Sequence, residues 1–256
     1  MLEALNWLHR IAGALVLVGL AMGISRWQKV GMEKDMLVAM VRSFVQLIAI
    51  GYALDLIFNA QGPFWILLVV AVMVGVAGYT AGERGKYVPQ SKSVATLSVS
   101  VGTVLTLGLL IALQVFPFEP RYIIPIAGMV VGNAMTVTGL VMSRLRDDLK
   151  LQRTQVEAAL ALGAPQRQAA SSQLRRALTT GMAPLVDRTK TVGLISLPGA
   201  MTGMILAGAS PLEAVQLQII VMYMLIGAVA FSGLTATFLT YRQFFTRAHQ
   251  LVLHEE

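Results

Sequence analysis

The chain alternates between long apolar stretches and short polar connections from one end to the other. A helix needs about 20 predominantly apolar residues to cross the hydrocarbon core of a bilayer. Seven stretches approach or exceed that length, and we predict each of them to be a membrane span. They are residues 5–24, 36–58, 64–81, 94–115, 123–142, 192–207 and 214–239. The pattern therefore predicts an all-α transmembrane helical bundle, formed by residues 1–256 as a single domain.

Two places in this pattern carry signals for helix ends. Pro198 and Gly199 interrupt the sixth span, which is also the shortest, so its helix is expected to be broken there. Ser210, Pro211 and Glu213 precede the seventh span in the order expected of an N-cap, a first-turn proline and a capping box. We therefore predict that the last span begins at Ser210.

Charge sets the expected orientation of the spans. Only 13% of the residues are charged, whereas a soluble domain has about 25%. Most of the 20 Lys and Arg residues lie in residues 26–34, 84–92, 144–190 and 242–247. In a bundle of seven spans these segments share one side, and the positive-inside rule places it in the cytoplasm with the N-terminus outside. The net charge of +7 is thereby explained without a nucleic-acid partner.

Residues 144–182 form the one extended polar segment, and it shows helical periodicity. Leu145, Leu149, Val156 and Leu160 fall close to one stripe. Gly163 suits the end of a helix and Pro165 the first turn of another, which we predict to run through residues 166–180. Such a hairpin would present Ala158, Ala159 and Ala161, which are small enough to enter a groove on another protein. An amphipathic helix lying on the membrane surface fits the same periodicity.

Polar residues inside the spans are candidates for a substrate pathway, because burying them in lipid is costly. Arg42 and Gln46 are four apart and share a face of the second span, although Arg42 could also snorkel to the interface. Asp55 lies near the outer end of that span. Asn133 in the fifth span can hydrogen-bond to a neighbouring helix.

Backbone carbonyls at Pro198 and Gly199, together with Asn133 and Asp55, would suit a hard cation. Two pairs of glycines also have the spacing that allows close helix packing: Gly128 with Gly132, and Gly199 with Gly203. The chain contains no cysteine, which excludes thiolate ligands, and the sequence does not identify further metal ligands.

The sequence resembles known transporter subunits. Glu157-Ala158-Ala159, three further residues and Gly163 resemble the signature of ATP-binding-cassette (ABC) permeases. Residues 42–47, 125–135 and 196–203 together resemble a narrower family, the FetB-type permeases, which are similar to a plant aluminium-tolerance protein. The downstream Ile-x-Leu-Pro of the fuller ABC pattern is absent from this chain.

The resemblance implies a bacterial inner-membrane permease that is not itself an enzyme. Two copies would pair, and each would dock one cytoplasmic ABC ATPase through Glu157, Ala158, Ala159, Gly163 and Pro165. This chain would bind no cofactor, and the ATPase would use ATP and Mg²⁺. A Walker A loop is indeed missing from the sequence. Export of iron or another metal ion is the expected function; a nucleotide-sugar cargo, and a passive channel or scaffold, stay open.

Overall fold

A computed structural model describes residues 2–59, 62–246 and 248–253. Ten helices run through these residues, and the remaining regular pairing consists of two isolated β-bridges, Val192 with Ser196 and Phe245 with Leu251. The prediction of an all-α protein is confirmed.

The chain divides into two compact units, residues 1–61 and residues 62–256. The first unit contains α1 (Leu2–Trp27) and α2 (Glu33–Asn59). In their connection Lys29 and Gly31 have positive φ angles of 54° and 78°. Ser25 Oγ donates a hydrogen bond of 2.9 Å to Glu33 Oε1, which links the end of α1 to the start of α2.

The second unit contains eight helices within its described residues. They are α3 (Pro63–Arg84), α4 (Ser91–Ala112), α5 (Pro120–Leu151), α6 (Arg153–Ala161), α7 (Gln166–Ala169), α8 (Ser171–Thr191), α9 (Gly199–Leu206) and α10 (Pro211–Gln243). Helix α5 lies at the centre, in contact with α3, α4, α8 and α10. Val130, Val137, Val141, Leu145 and Leu149 are buried along it, because their spacing of four or seven residues keeps them on one side.

Glycines allow the closest approaches between these helices. A Cβ on Gly78 would lie 2.6 Å from Thr96 Cα, and a Cβ on Gly82 would lie 2.7 Å from Lys92 Cα, so α3 packs backbone to backbone on α4. A Cβ on Gly102 would overlap Ser232 Oγ, where α4 meets α10. Gly78 and Gly82 thus form the four-residue glycine pair that this unit uses for packing.

The two glycine pairs singled out in the sequence have a different environment. No other part of the described residues 62–246 comes within 4 Å of a Cβ built on Gly132, Gly199 or Gly203, and Gly128 meets only Met73 Cε at 4.0 Å. The expectation that these pairs mediate close packing is wrong within this unit, because the tight crossings of α3, α4 and α10 occur at other glycines.

Five helices are long and apolar enough, over the described residues, to cross a membrane. They are α2 (over its described part, Glu33–Leu54), α3, α4, α5 and α10, and they coincide with predicted spans two, three, four, five and seven. Helix α1 contains the predicted first span, and the part of it whose side chains are described, Gly13–Trp27, is apolar. The total of seven spans and their orientation stay predictions.

The predicted break at Pro198 and Gly199 in residues 192–207 is present, and helix is confined to α9, Gly199–Leu206. Helix α9 has 8 residues, about 12 Å of helix, less than half of the hydrocarbon thickness. Residues 192–198 form a turn instead: Gly193 has a φ of 81°, and its N–H donates to the carbonyl of Ser196 over 3.0 Å. Proline at the N-cap of α9 has no N–H with which to continue a preceding helix.

The predicted start of the last helix is confirmed. Ser210 is the N-cap of α10, Pro211 lies in its first turn, and a reciprocal capping box joins Ser210 to Glu213. The Glu213 N–H donates to Ser210 Oγ over 3.3 Å, and the Ser210 N–H donates to Glu213 Oε2 over 3.2 Å. Local side-chain chemistry is enough to define this helix end.

Candidate functional site

The polar segment grows directly out of the central helix. Helix α5 does not end with the predicted fifth span at residue 142 but continues to Leu151, and α6 begins at Arg153. The first residues of the predicted 144–182 segment are therefore an extension of α5. A movement of α6 would act directly on the end of the helix at the centre of the second unit.

Helix α6 ends in a Schellman turn centred on Gly163. The N–H of Ala164 donates to the carbonyl of Ala159 over 3.0 Å, and the N–H of Gly163 donates to the carbonyl of Leu160 over 2.9 Å. Gly163 has a φ of 86°, the left-handed conformation that this motif requires and that glycine adopts without steric cost. The prediction that α6 ends near Gly163 is confirmed.

The second helix of the predicted hairpin differs from its expected range of 166–180. Pro165 is the N-cap of α7 rather than part of its first turn, and α7 ends at Ala169. Helix α8 then runs from Ser171 to Thr191. The interruption at Ala170 turns Ala170 and Gln173 into the interior, where both are buried.

The inner face of α6 is fixed to the rest of the unit. Val156 is fully buried with Leu145 and Leu149 of α5, as their shared stripe predicts, and Leu160 packs against the same cluster. Close by, the buried Gln173 Nε2 donates to Gln152 Oε1 over 2.7 Å. The stripe therefore serves internal packing, and only the opposite face of α6 is available to another molecule.

That outer face carries the signature residues. Glu157 is exposed and its Oε1 lies 2.7 Å from Arg153 Nε, an ion pair between residues four apart on one helix. Ala158 and Ala161 are exposed, whereas Ala159 is half-buried. Small side chains beside an exposed carboxylate leave the backbone of α6 open to close approach.

Two residues of this region were missed in the sequence. Leu162 is 89% exposed at the tip of the turn, an unusual position for a large apolar side chain in a polar segment. Asp148 is buried beside Leu149, with its Oδ1 3.2 Å from Arg144 Nε and its Oδ2 without a hydrogen-bond partner in the described structure. Helical spacing from Leu145 would have placed Asp148 on the apolar stripe.

The pathway candidates are divided between the two units of the chain. Arg42 and Gln46 are both exposed on α2 in the first unit. Asp55 also belongs to α2, and its side chain lies outside the described residues. Asn133 is half-buried on α5, and its Nδ2 donates to the carbonyl of Met129 over 2.8 Å, a bond within its own helix rather than to a neighbour.

Pro198 and Gly199 lie at the start of α9, where the predicted break in the apolar run occurs. The Pro198 carbonyl already accepts from the N–H of Thr202 over 3.0 Å and from its hydroxyl over 3.1 Å. This carbonyl therefore has two donors before any cation approaches. Among the described residues, no group of three or more His, Cys, Asp and Glu side chains could hold a metal ion.

A cavity of about 450 Å³ lies beside α9, bounded by the turn around Gly193, by Met201 and by α10. Gln218 lines it, is 7% exposed, and has an Oε1 without a hydrogen-bond partner in the described structure. Met222 lines the same wall. The position of Gln218 two turns inside the last apolar helix is the signal by which the sequence could have identified it.

Comparison with known proteins is consistent across nearly the whole chain. The model of "Uncharacterised protein family (UPF0014)" matches residues 8–245. Protein ALUMINUM SENSITIVE 3 of Arabidopsis thaliana is 56% identical over 243 residues, covering 95% of this chain and 89% of that protein. The UPF0014 membrane protein STAR2 of Oryza sativa subsp. japonica is 55% identical, over 97% of this chain and 87% of that protein.

A bacterial relative is similar over the same length. The Probable iron export permease protein FetB of Escherichia coli is 39% identical over 243 residues, covering 95% of this chain and 94% of that protein. No solved structure gives a significant match. The resemblance to FetB-type permeases and their plant relatives is thereby confirmed, and this multi-pass membrane protein belongs to the UPF0014 family.

Proposed function

We propose that the chain is the membrane subunit of an ABC exporter, with two copies in the complex and one separate cytoplasmic ATPase docked on each. The observation that carries this proposal is the division of α6 into two faces. Its inner face is packed on α5 through the buried Val156, and its outer face exposes Glu157, Ala158 and Leu162. A rigidly mounted helix with an uncovered outer face is suited to transmitting a push from a partner.

The mechanical step follows from this mounting. Closure of the ATPase pair on ATP would press on α6 and on the Gly163 turn. Since α6 follows α5 after a single residue, Gln152, the push reaches the central helix without a flexible linker. Helix α5 contacts α3, α4, α8 and α10, so a shift of α5 would change the packing of most of the second unit. Two such packings would give inward-open and outward-open states.

Iron or another divalent metal ion is the proposed cargo, and export across a bacterial inner membrane is the proposed direction. The name of the Escherichia coli relative supports both. The cavity beside Gln218 offers a neutral amide oxygen rather than carboxylates. A transported ion must leave as well as enter, and oxygen ligands of low charge bind a cation more weakly than a carboxylate cage does.

The decisive experiment is reconstitution of the chain with its ATPase in liposomes, followed by ATP hydrolysis with Fe²⁺, other divalent ions or UDP-sugars. We expect hydrolysis to require the complex and to rise with Fe²⁺ or a related ion. Stimulation by UDP-sugars alone would replace the metal with a nucleotide-sugar as cargo. Absence of a stable complex, with conduction by the chain on its own, would establish the passive channel instead.

Charge reversal tests the docking face directly. Glu157→Lys should abolish co-purification of the ATPase, because it places a cation on the outer face of α6 and removes the ion pair with Arg153. Asp187→Lys is the matched control, since Asp187 is also exposed and also forms an ion pair, with Lys190 at 3.1 Å on α8. Both variants should insert in the membrane at the normal level; undiminished co-purification with Glu157→Lys would remove α6 as the docking element.

A further inference from the structure

A groove of about 400 Å³ separates the first half of α8 from the last third of α10. Arg167 of α7 and Arg175 of α8 line it, together with the apolar side chains of Leu178, Leu234 and Phe238. The groove thus combines basic and apolar side chains, the two kinds of surface that the phosphate and the acyl chain of a phospholipid require.

Contacts at both ends hold the walls of the groove in place. At one end, a Cβ on Gly233 would lie 3.0 Å from Leu178 Cδ1, so α8 and α10 approach closely there. At the other end, Gln166 Nε2 donates to the carbonyl of Thr246 over 2.8 Å, which joins the start of α7 to the chain just after α10. The groove is a preformed space between two fixed contacts.

Among the described residues, no acidic side chain compensates the charge of the groove. Arg167 and Arg175 are both exposed, and no carboxylate lines the groove. Throughout the part of the chain that the structure describes, neither guanidinium lies within ion-pair distance of an Asp or Glu. Two guanidinium groups that line one groove attract an anion, and phosphate matches the hydrogen-bonding geometry of a guanidinium group.

The apolar wall belongs to a surface that would face lipid. Helix α10 is one of the helices long and apolar enough to cross a bilayer, and on it Leu234 is 54% exposed and Phe238 is 48% exposed. From Gly233 to the end of α10 at Gln243 is about 15 Å of helix. That length accommodates a headgroup and the upper part of an acyl chain.

We propose that this groove binds one anionic phospholipid, with its phosphate between Arg167 and Arg175 and its acyl chain along Leu234 and Phe238. A basic pocket between membrane helices, continuous with their lipid-facing surface, recognises the headgroup and the chain together. An acidic segment of the partner ATPase would also satisfy the arginines, but the apolar wall belongs to α10, a helix apolar enough to cross a bilayer, and an acyl chain is the molecule that meets such a helix in a membrane. The lipid site does not depend on ATP coupling or on the cargo.

The test is native mass spectrometry of the full-length chain in mild detergent, titrated with phosphatidylglycerol or with phosphatidylcholine. The unmodified chain should retain phosphatidylglycerol more tightly than phosphatidylcholine. The double variant Arg167→Gln/Arg175→Gln should lose about thirtyfold in affinity for phosphatidylglycerol, as expected from the removal of two interfacial charges. Arg176→Gln is the matched control: it removes an exposed arginine one residue away on the same helix, outside the groove.

Three results would overturn the proposal. Equal retention of the two lipids by the unmodified chain would remove the headgroup preference. Displacement of phosphatidylglycerol by millimolar inorganic phosphate would indicate a simple anion site without a role for the acyl chain. If the double variant keeps its phosphatidylglycerol but loses the ATPase on co-purification, the arginines face the protein partner and the lipid site is rejected.

Discussion

Gly102 and Gly132 lie in the middle of apolar helices and have opposite surroundings. Gly102 is buried against Ser232, and a Cβ there would also lie 3.1 Å from the backbone carbonyl of Ala228. Gly132 has nothing within 4 Å of its Cβ position among the described residues of its unit. Sequence spacing alone favours Gly128 and Gly132 as a packing pair. It does not show which glycines are covered by a neighbouring helix, and so it does not identify Gly102.

These surroundings predict opposite effects of the same substitution. Gly102→Ala should destabilise the protein by about 1–3 kcal/mol, since the added methyl group overpacks the crossing of α4 and α10. Gly132→Ala should leave stability unchanged or raise it slightly, because alanine favours the helix. Unfolding of both variants in a mixed-micelle denaturant titration measures the difference.

A Gly102→Ala variant as stable as the unmodified chain would mean that α4 and α10 are further apart than described. Loss of stability in Gly132→Ala would show instead that α5 meets another helix at Gly132, for example in a second copy of the chain.

Among the elements, α6 and the turn that follows it include both a feature that the sequence predicts well and a feature that it does not predict. Its C-terminal turn could be predicted because Gly163 and the apolar stripe are local signals. The exposure of Leu162 could not be predicted, since it depends on how α6 folds back on α5. The apolar run at residues 192–207 has the composition of a membrane span. In the structure, however, Gly193 and Pro198 divide it into a turn and a short helix.

The exposed tip of α6 leads to a prediction about partner binding. Leu162→Ala should weaken association with the ATPase by about tenfold, because removing an apolar anchor from the centre of an interface typically costs 1–2 kcal/mol. The stability of the Leu162→Ala variant should equal that of the unmodified chain, since Leu162 is 89% exposed. Affinity can be measured by titrating labelled ATPase onto the chain in nanodiscs.

Leu206→Ala provides the comparison, because Leu206 is 83% exposed at the end of α9, on the side predicted to lie outside. If Leu162→Ala and Leu206→Ala bind the ATPase equally well, the tip of α6 does not contribute to the interface.

For the whole molecule, the orientation in the membrane rests on charge alone. The basic connections at residues 84–92 and 144–190 contrast with the short outer connection at residues 113–119. The structure describes helices without a membrane, so it reproduces the apolar lengths that the sequence predicts and leaves the sidedness to the positive-inside rule.

The absence of cysteine from the sequence allows a clean test of sidedness. Single cysteines are introduced at two exposed positions, Leu162→Cys in the α6–α7 turn and Phe118→Cys in the connection before α5. In intact cells a membrane-impermeant maleimide should label Phe118→Cys, and it should label Leu162→Cys only after permeabilisation. The unmodified chain gives the background, and the reverse pattern would invert the predicted topology.

The two glycine-mediated crossings of α4 also differ in when they can form during synthesis. Helix α3 precedes α4 by a connection of a few residues, so Gly78 and Gly82 can meet α4 as soon as α4 leaves the ribosome. The α10 face that covers Gly102 is made roughly 100 residues later, a delay of about 5–20 s at ordinary rates of translation. During that interval the α3–α4 pair exists with the Gly102 side of α4 uncovered, which is when an insertion chaperone would have to protect it.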